Sequence, residues 1–135
     1  MNNSESRLHN VFFYGLYMDP EILISKGVEP RNPQVGFAEG YKLRIGNMAT
    51  LLRDADSKAY GVVYSLTHDE VDLLYTKSGL DMYVSEALLV ILDSGESIPT
   101  LCCNLRIPPE ESESNDEYKA KLLQCMKRLN VPTSA

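Results

Sequence analysis

At 135 residues, with 44% hydrophobic and 24% charged residues, the chain is sized for one domain with its own packed core. A net charge of −6, with no run of lysine and arginine interleaved with aromatics, argues against a nucleic-acid surface. The polar start Met1 to Arg7 leads into only a short apolar run, which excludes a signal peptide or membrane span in this stretch and predicts a cytoplasmic protein.

Residues 1–8 read as a disordered tail and residues 9–135 as a single domain. Val11 to Tyr14 is rich in strand formers. Asp19-Pro20-Glu21 then supplies a capping acceptor, a ring with preset φ and a first-turn acid, so a helix of about two turns is expected, stopped at Gly27. Gln34 to Ile45 reads as a long strand with a bulge or bend near Gly36 and Gly40. Met48 to Leu52 and Tyr60 to Leu66 read as strands joined in a hairpin by the polar turn Arg53 to Lys58.

Thr67-His68-Asp69-Glu70 matches a capping box, which makes His68 a first-turn surface residue rather than a base. Ser85 to Leu92 and Pro99 to Leu105 flank a turn and predict a second hairpin. The acidic stretch Pro109 to Ser114 and the last few residues are expected to be disordered. Asp116 to Leu129, capped by Asn115, carries Tyr118, Leu122, Cys125, Met126 and Leu129 on one face that should lie against the sheet. The class is therefore α+β, with short helices and a mostly antiparallel sheet or small barrel.

Three cysteines, two of them adjacent at Cys102 and Cys103, make no disulfide framework and read as buried thiols. Two histidines far apart complete no zinc site, so neither a metal nor a cofactor is expected. The run Tyr14-Gly15-Leu16-Tyr17-Met18 is the unusual feature. A strand-to-helix junction exposes backbone N–H groups that suit a carboxylate or a developing oxyanion, and glycine lets a ligand approach them. The alternative is a glycine that only relieves a tight turn between two core tyrosines.

Tyr14 to Met18, Gly36 to Leu43, Ala59 to Tyr64, and Leu74 to Gly79 followed by Met82-Tyr83-Val84 together resemble the γ-glutamylcyclotransferase-like superfamily. The resemblance runs from about Val11 to Asn104 and rests on the order and spacing of the four blocks. It implies a small mixed barrel and, in active members, conversion of γ-glutamyl amines or amino acids into 5-oxoproline and the freed amine. It also assigns the glutamyl part to the loop Tyr14 to Met18 and proton transfer to a glutamate near the end of a later short helix.

Two departures bear on that activity. Leu16 stands where the resembling loop has serine, and Ser78 stands where the proton-shuttling glutamate is expected. A serine with no base beside it cannot carry a proton as a carboxylate does. Asp81 is the first candidate to replace that acid and Glu86 the second; as plain surface charges they would be a turn carboxylate and an outward strand residue. The substrate-binding set is then Tyr14, Gly15, Leu16, Tyr17, Met18, Ser78 and Tyr83, with Met48 adding to an apolar bed.

Three functions follow from this reading. One is a pocket for a γ-glutamyl or related amide or carboxylate, without catalysis. Another is an active cyclotransferase using Asp81 or Glu86. The last is a protein-interaction domain acting through Glu110 to Glu117. The expected partner is a small molecule, with neither nucleic acid nor membrane.

Overall fold

The computed structural model describes residues 7–133. The chain forms β1 (Leu8–Phe13), a single 3-10 turn (Leu16–Met18), α1 (Pro20–Ser25), β2 (Arg31–Ile45), β3 (Ala49–Thr67), α2 (His68–Leu74), β4 (Tyr83–Leu92), β5 (Ser97–Leu105) and α3 (Asp116–Arg128). The strands close into a barrel in the order β1-β3-β2-β4-β5. Neighbours are antiparallel except at the closing seam, where β1 runs parallel to β5 with Val11 opposite Leu101. The expected mixed, mostly antiparallel barrel with short helices is the observed architecture. No helix among the described residues is long and apolar enough to cross a membrane.

Strand alternation divides the core into two layers. Phe12, Leu51, Val63, Leu88, Val90 and Cys102 come from strands around the barrel and form one cluster, which fills its interior. Val11, Phe13, Val62, Tyr64 and Leu66 point the other way and pack with Leu23 of α1, Leu74 of α2, and Leu122 and Met126 of α3. Burying these side chains stabilises each layer by about 1.5–3 kcal/mol per large apolar residue. β1 is thus sandwiched at its end, with Val11 and Phe13 under the helices and Phe12 inside the barrel.

The helix starts follow the sequence signals. Asp19 accepts from Glu21 N, with Pro20 opening α1. Thr67 and Glu70 form the reciprocal capping box of α2, and Asn115 accepts from Tyr118 N at the start of α3. His68 is exposed in the first turn of α2, its side chain 3.8 Å from Asp72. The bulge expected in β2 falls at Gly40, whose φ of +84° suits glycine.

Three expectations are corrected. Arg53 to Lys58 is not a hairpin turn: both flanking segments pair with β2, and the polar residues are a bulge within one continuous strand. Asp54 holds that excursion by accepting from Asp56 N at 3.1 Å and Ser57 Oγ at 3.0 Å. The hairpin turn lies instead between Ile45 and Ala49, which face each other.

The acidic stretch is the second correction, because it is fastened down. Arg44 donates to the carbonyls of Glu110 and Glu113 at 2.7 and 2.9 Å, and Glu113 accepts from Asn47 N at 3.1 Å. The third concerns the start of the chain: β1 begins at Leu8, while residues 1–6 and 134–135, expected to be disordered, lie outside the described residues. All three cysteines are free and buried.

Candidate functional site

The junction after β1 is built by side chains that arrive from distant parts of the chain. Tyr14 turns into the barrel, where its hydroxyl donates to the Cys103 carbonyl at 2.7 Å. Gly15 follows in extended conformation, and a Cβ there would meet the Tyr118 hydroxyl at 2.5 Å. That close approach lets the Leu16 N–H donate to Tyr118 Oη at 3.1 Å. Further along the loop, Met18 N–H and Asp19 N–H donate to the carbonyls of Gly15 and Leu16, both at 3.0 Å. Tyr64 donates to the Met18 carbonyl at 2.6 Å. Asp19 is also paired with Arg128, which ties the loop to the end of α3.

The loop amides are therefore only partly available. Those of Leu16, Met18 and Asp19 are satisfied within the protein, whereas those of Gly15 and Tyr17 have no hydrogen-bond partner among the described residues. A donor pair of that kind suits a carbonyl or carboxylate oxygen.

Beside the loop lies a cavity of about 390 Å³, within the size range of small-molecule sites. One wall is Tyr14, Gly15, Leu16 and Tyr17; the hairpin tip adds Asn47, Met48 and Ala49; Tyr75, Leu80 and Tyr83 face them, and Tyr118 enters from α3. Phe13 and Ile22 complete the lining. Five tyrosines thus share one hollow, and among the described residues no carboxylate, imidazole, ammonium or guanidinium group lines it.

Most of these phenol protons are committed to carbonyls. Tyr17 donates to the Leu74 carbonyl at 2.9 Å and Tyr83 to the Ala49 carbonyl at 2.6 Å. Burial pushes the hydroxyls of Tyr14, Tyr17, Tyr75, Tyr83 and Tyr118 above their ordinary titration range, so all five stay neutral at physiological pH. A neutral phenol that holds its proton this firmly is a poor general base.

The sequence-derived site divides accordingly. Tyr14, Gly15, Leu16, Tyr17 and Tyr83 line the cavity, as does Met48. Met18 is fully buried and packs with the helices instead. Ser78 is exposed, its hydroxyl donating to the Leu73 carbonyl at 2.5 Å. Asp81 is exposed in the turn before β4. Glu86 shares strand parity with the interior residues Leu88 and Val90, but at the barrel end its carboxylate is in solvent and accepts from Asn104 at 3.0 Å. None of Ser78, Asp81 and Glu86 is in the lining.

Sequence reasoning missed Tyr75, Tyr118, Asn47 and Leu80. The available signal was compositional, eight tyrosines and no tryptophan in a chain this short. Among the described residues, no three of His, Cys, Asp or Glu are grouped to hold a metal ion.

A closed mixed barrel, helices over one flank and a tyrosine-lined hollow at the strand-to-helix junction define an α+β barrel architecture. No family model and no curated protein matches the sequence. Solved structures do match the fold. A gamma-glutamyl cyclotransferase superposes with a TM-score of 0.76 at 19% identity, covering 94% of this chain and 83% of that one. A yeast gamma-glutamyl cyclotransferase specific to glutathione gives 0.66 at 14% identity, covering 96% and 91%. An aig2-like protein from Mus musculus gives 0.62 at 17%, covering 86% and 94%. The chain has the γ-glutamylcyclotransferase-like fold.

Proposed function

We propose that the protein binds a small γ-glutamyl amide, or a related amide or carboxylate, in the tyrosine-lined cavity and does not cyclise it. The observation that carries this reading is that the described residues lining the cavity include no ionisable acid or base other than neutral phenols. Ring closure by a γ-glutamyl compound needs its α-ammonium to lose a proton and its leaving amine to gain one, and a carboxylate of matched pKa ordinarily mediates both. Proximity alone would still favour a bent conformer, but nothing at the wall relays the proton.

Binding is supported by different features. The N–H groups of Gly15 and Tyr17 offer a place for a carbonyl oxygen, while the rings of Tyr17, Tyr75 and Tyr83 cover the rest of the ligand. With no cation among the lining residues, the ligand's amide group rather than a carboxylate is set against the wall, since a desolvated carboxylate there would go uncompensated. The interaction-domain alternative is disfavoured because the segment Glu110 to Glu113 is folded onto Arg44.

Incubation with γ-glutamyl amino acids and γ-glutamyl amines is expected to release no 5-oxoproline above background. Turnover abolished by Asp81→Asn or Glu86→Gln would overturn this. In thermal-shift titrations the same compounds and simpler amides should stabilise the protein, and Leu16→Arg should remove the effect by filling the cavity.

A further inference from the structure

Neighbouring aromatic rings in the cavity are set at steep angles rather than stacked. Phe13 and Tyr17 have centroids 6.1 Å apart at 88°. Tyr17 and Tyr75 are 5.6 Å apart at 82°, and Tyr75 and Tyr83 are 5.5 Å apart at 57°. Rings turned in this way form the adjoining walls of a box. We infer that this box takes a quaternary ammonium group on the ligand, an inference that rests on the cavity being the ligand site.

Three features of the walls favour such a group. The hydroxyls of Tyr14, Tyr17 and Tyr83 give their protons to the carbonyls of Cys103, Leu74 and Ala49, so none of the three turns an O–H proton toward a cation in the cavity. Ring faces attract cations through their quadrupoles, and the attraction grows when water is excluded. Among the described residues no lysine or arginine lines the space to repel a positive charge, and the chain's net charge of −6 raises the local concentration of cations.

The missing carboxylate makes the choice narrower. A primary ammonium is strongly hydrated and would lose its water without gaining an anionic partner. A quaternary ammonium is weakly hydrated, keeps its charge at every pH and presents an apolar surface that fits between rings. The ligand this describes carries an amide carbonyl for the Gly15 and Tyr17 amides and a trimethylammonium-like head for the box.

Choline and its neutral carbon isostere, dimethylbutanol, have almost the same shape and test the charge directly. With no tryptophan in the chain, tyrosine emission reports binding. At matched ionic strength choline should bind at least about fivefold more tightly than the isostere. Tyr75→Leu and Tyr83→Leu should each weaken choline by a similar factor, whereas Tyr75→Phe, which keeps the ring, should not. Circular dichroism checks each fold; if Tyr75→Leu is unfolded, Tyr83→Leu carries the comparison.

Equal or tighter binding of the isostere, or choline affinity unchanged in the folded leucine variants, overturns the inference. If choline fails while amides still raise the melting temperature, the inference falls alone. If no probe of either kind binds, the cavity is not the ligand site and the proposed function falls with it.

Discussion

The two walls of the cavity are built on opposite plans. The loop from Tyr14 to Met18 is held by its main chain: Tyr118 takes the Leu16 amide, Tyr64 reaches the Met18 carbonyl, and the flanking Asp19 is paired with Arg128. The facing segment from Tyr75 to Tyr83 is held by its own turns, with Lys77 N–H bonded to the Asp72 carbonyl and Leu80 N–H to the Tyr75 carbonyl, both at 2.8 Å. Its polar side chains Lys77, Ser78 and Asp81 face solvent, and only Tyr75, Leu80 and Tyr83 turn inward. The fold thus fixes the backbone of one wall through distant side chains, while the other is held by bonds within its own segment.

The sharpest way to break the difference is Tyr118→Ala, which removes a ring shared by both core layers and the partner of the Leu16 amide. We expect a loss of about 3 kcal/mol in chemical denaturation. Gly15→Ala comes next, at about 1–2 kcal/mol, because the added methyl displaces the Tyr118 hydroxyl. In combination with Tyr118→Phe its cost should be less than the sum of the two, since the colliding oxygen is gone; strict additivity in a double-mutant cycle would refute the contact.

A smaller effect is expected at the base of the opposite wall, where Glu70 caps α2. Burial disfavours its carboxylate, but hydrogen bonds from Arg31 and from the amides of Glu29 and Thr67 outweigh that cost and hold it below its ordinary 4.5. A depressed folded value gives stability that is present above about pH 4.5 and lost as pH falls through the folded value. Glu70→Gln should therefore lower stability at neutral pH by about 1 kcal/mol and converge with the parent as pH falls below the folded value. Parallel curves across that range would exclude the capping carboxylate as their source. The smallest change belongs to Asp81→Asn, which should leave stability within about 0.5 kcal/mol and amide-induced thermal shifts unaltered.

What could be read from the sequence was what depends on neighbours in the chain. The Asp19-Pro20 and Asn115 starts, the reciprocal pair Thr67 and Glu70, and the hairpin of β4 and β5 are local chemistry, and each is where the residues place it. The barrel was legible because four spaced blocks resemble one family. The polar run Arg53 to Lys58 misled because a bulge and a turn use the same residues, and only the pairing partner tells them apart. The acidic stretch misled because Arg44, far away in sequence, secures it.

The cavity was half legible for the same reason. Tyr14 to Tyr17 stand together in the chain, but Tyr75, Tyr83 and Tyr118 join them only through the fold. The glycine between tyrosines also has a reason no local rule supplies, since the hydroxyl that needs the space belongs to α3.

The parallel seam between β1 and β5 has a kinetic consequence. Val11 and Leu101 are joined only after nearly everything between them has been made, so closing the ring carries a large loop-closure entropy and a high contact order. During synthesis β1 must wait with one edge bare until β5 emerges, which makes β1 the strand most open to mispairing with another nascent chain.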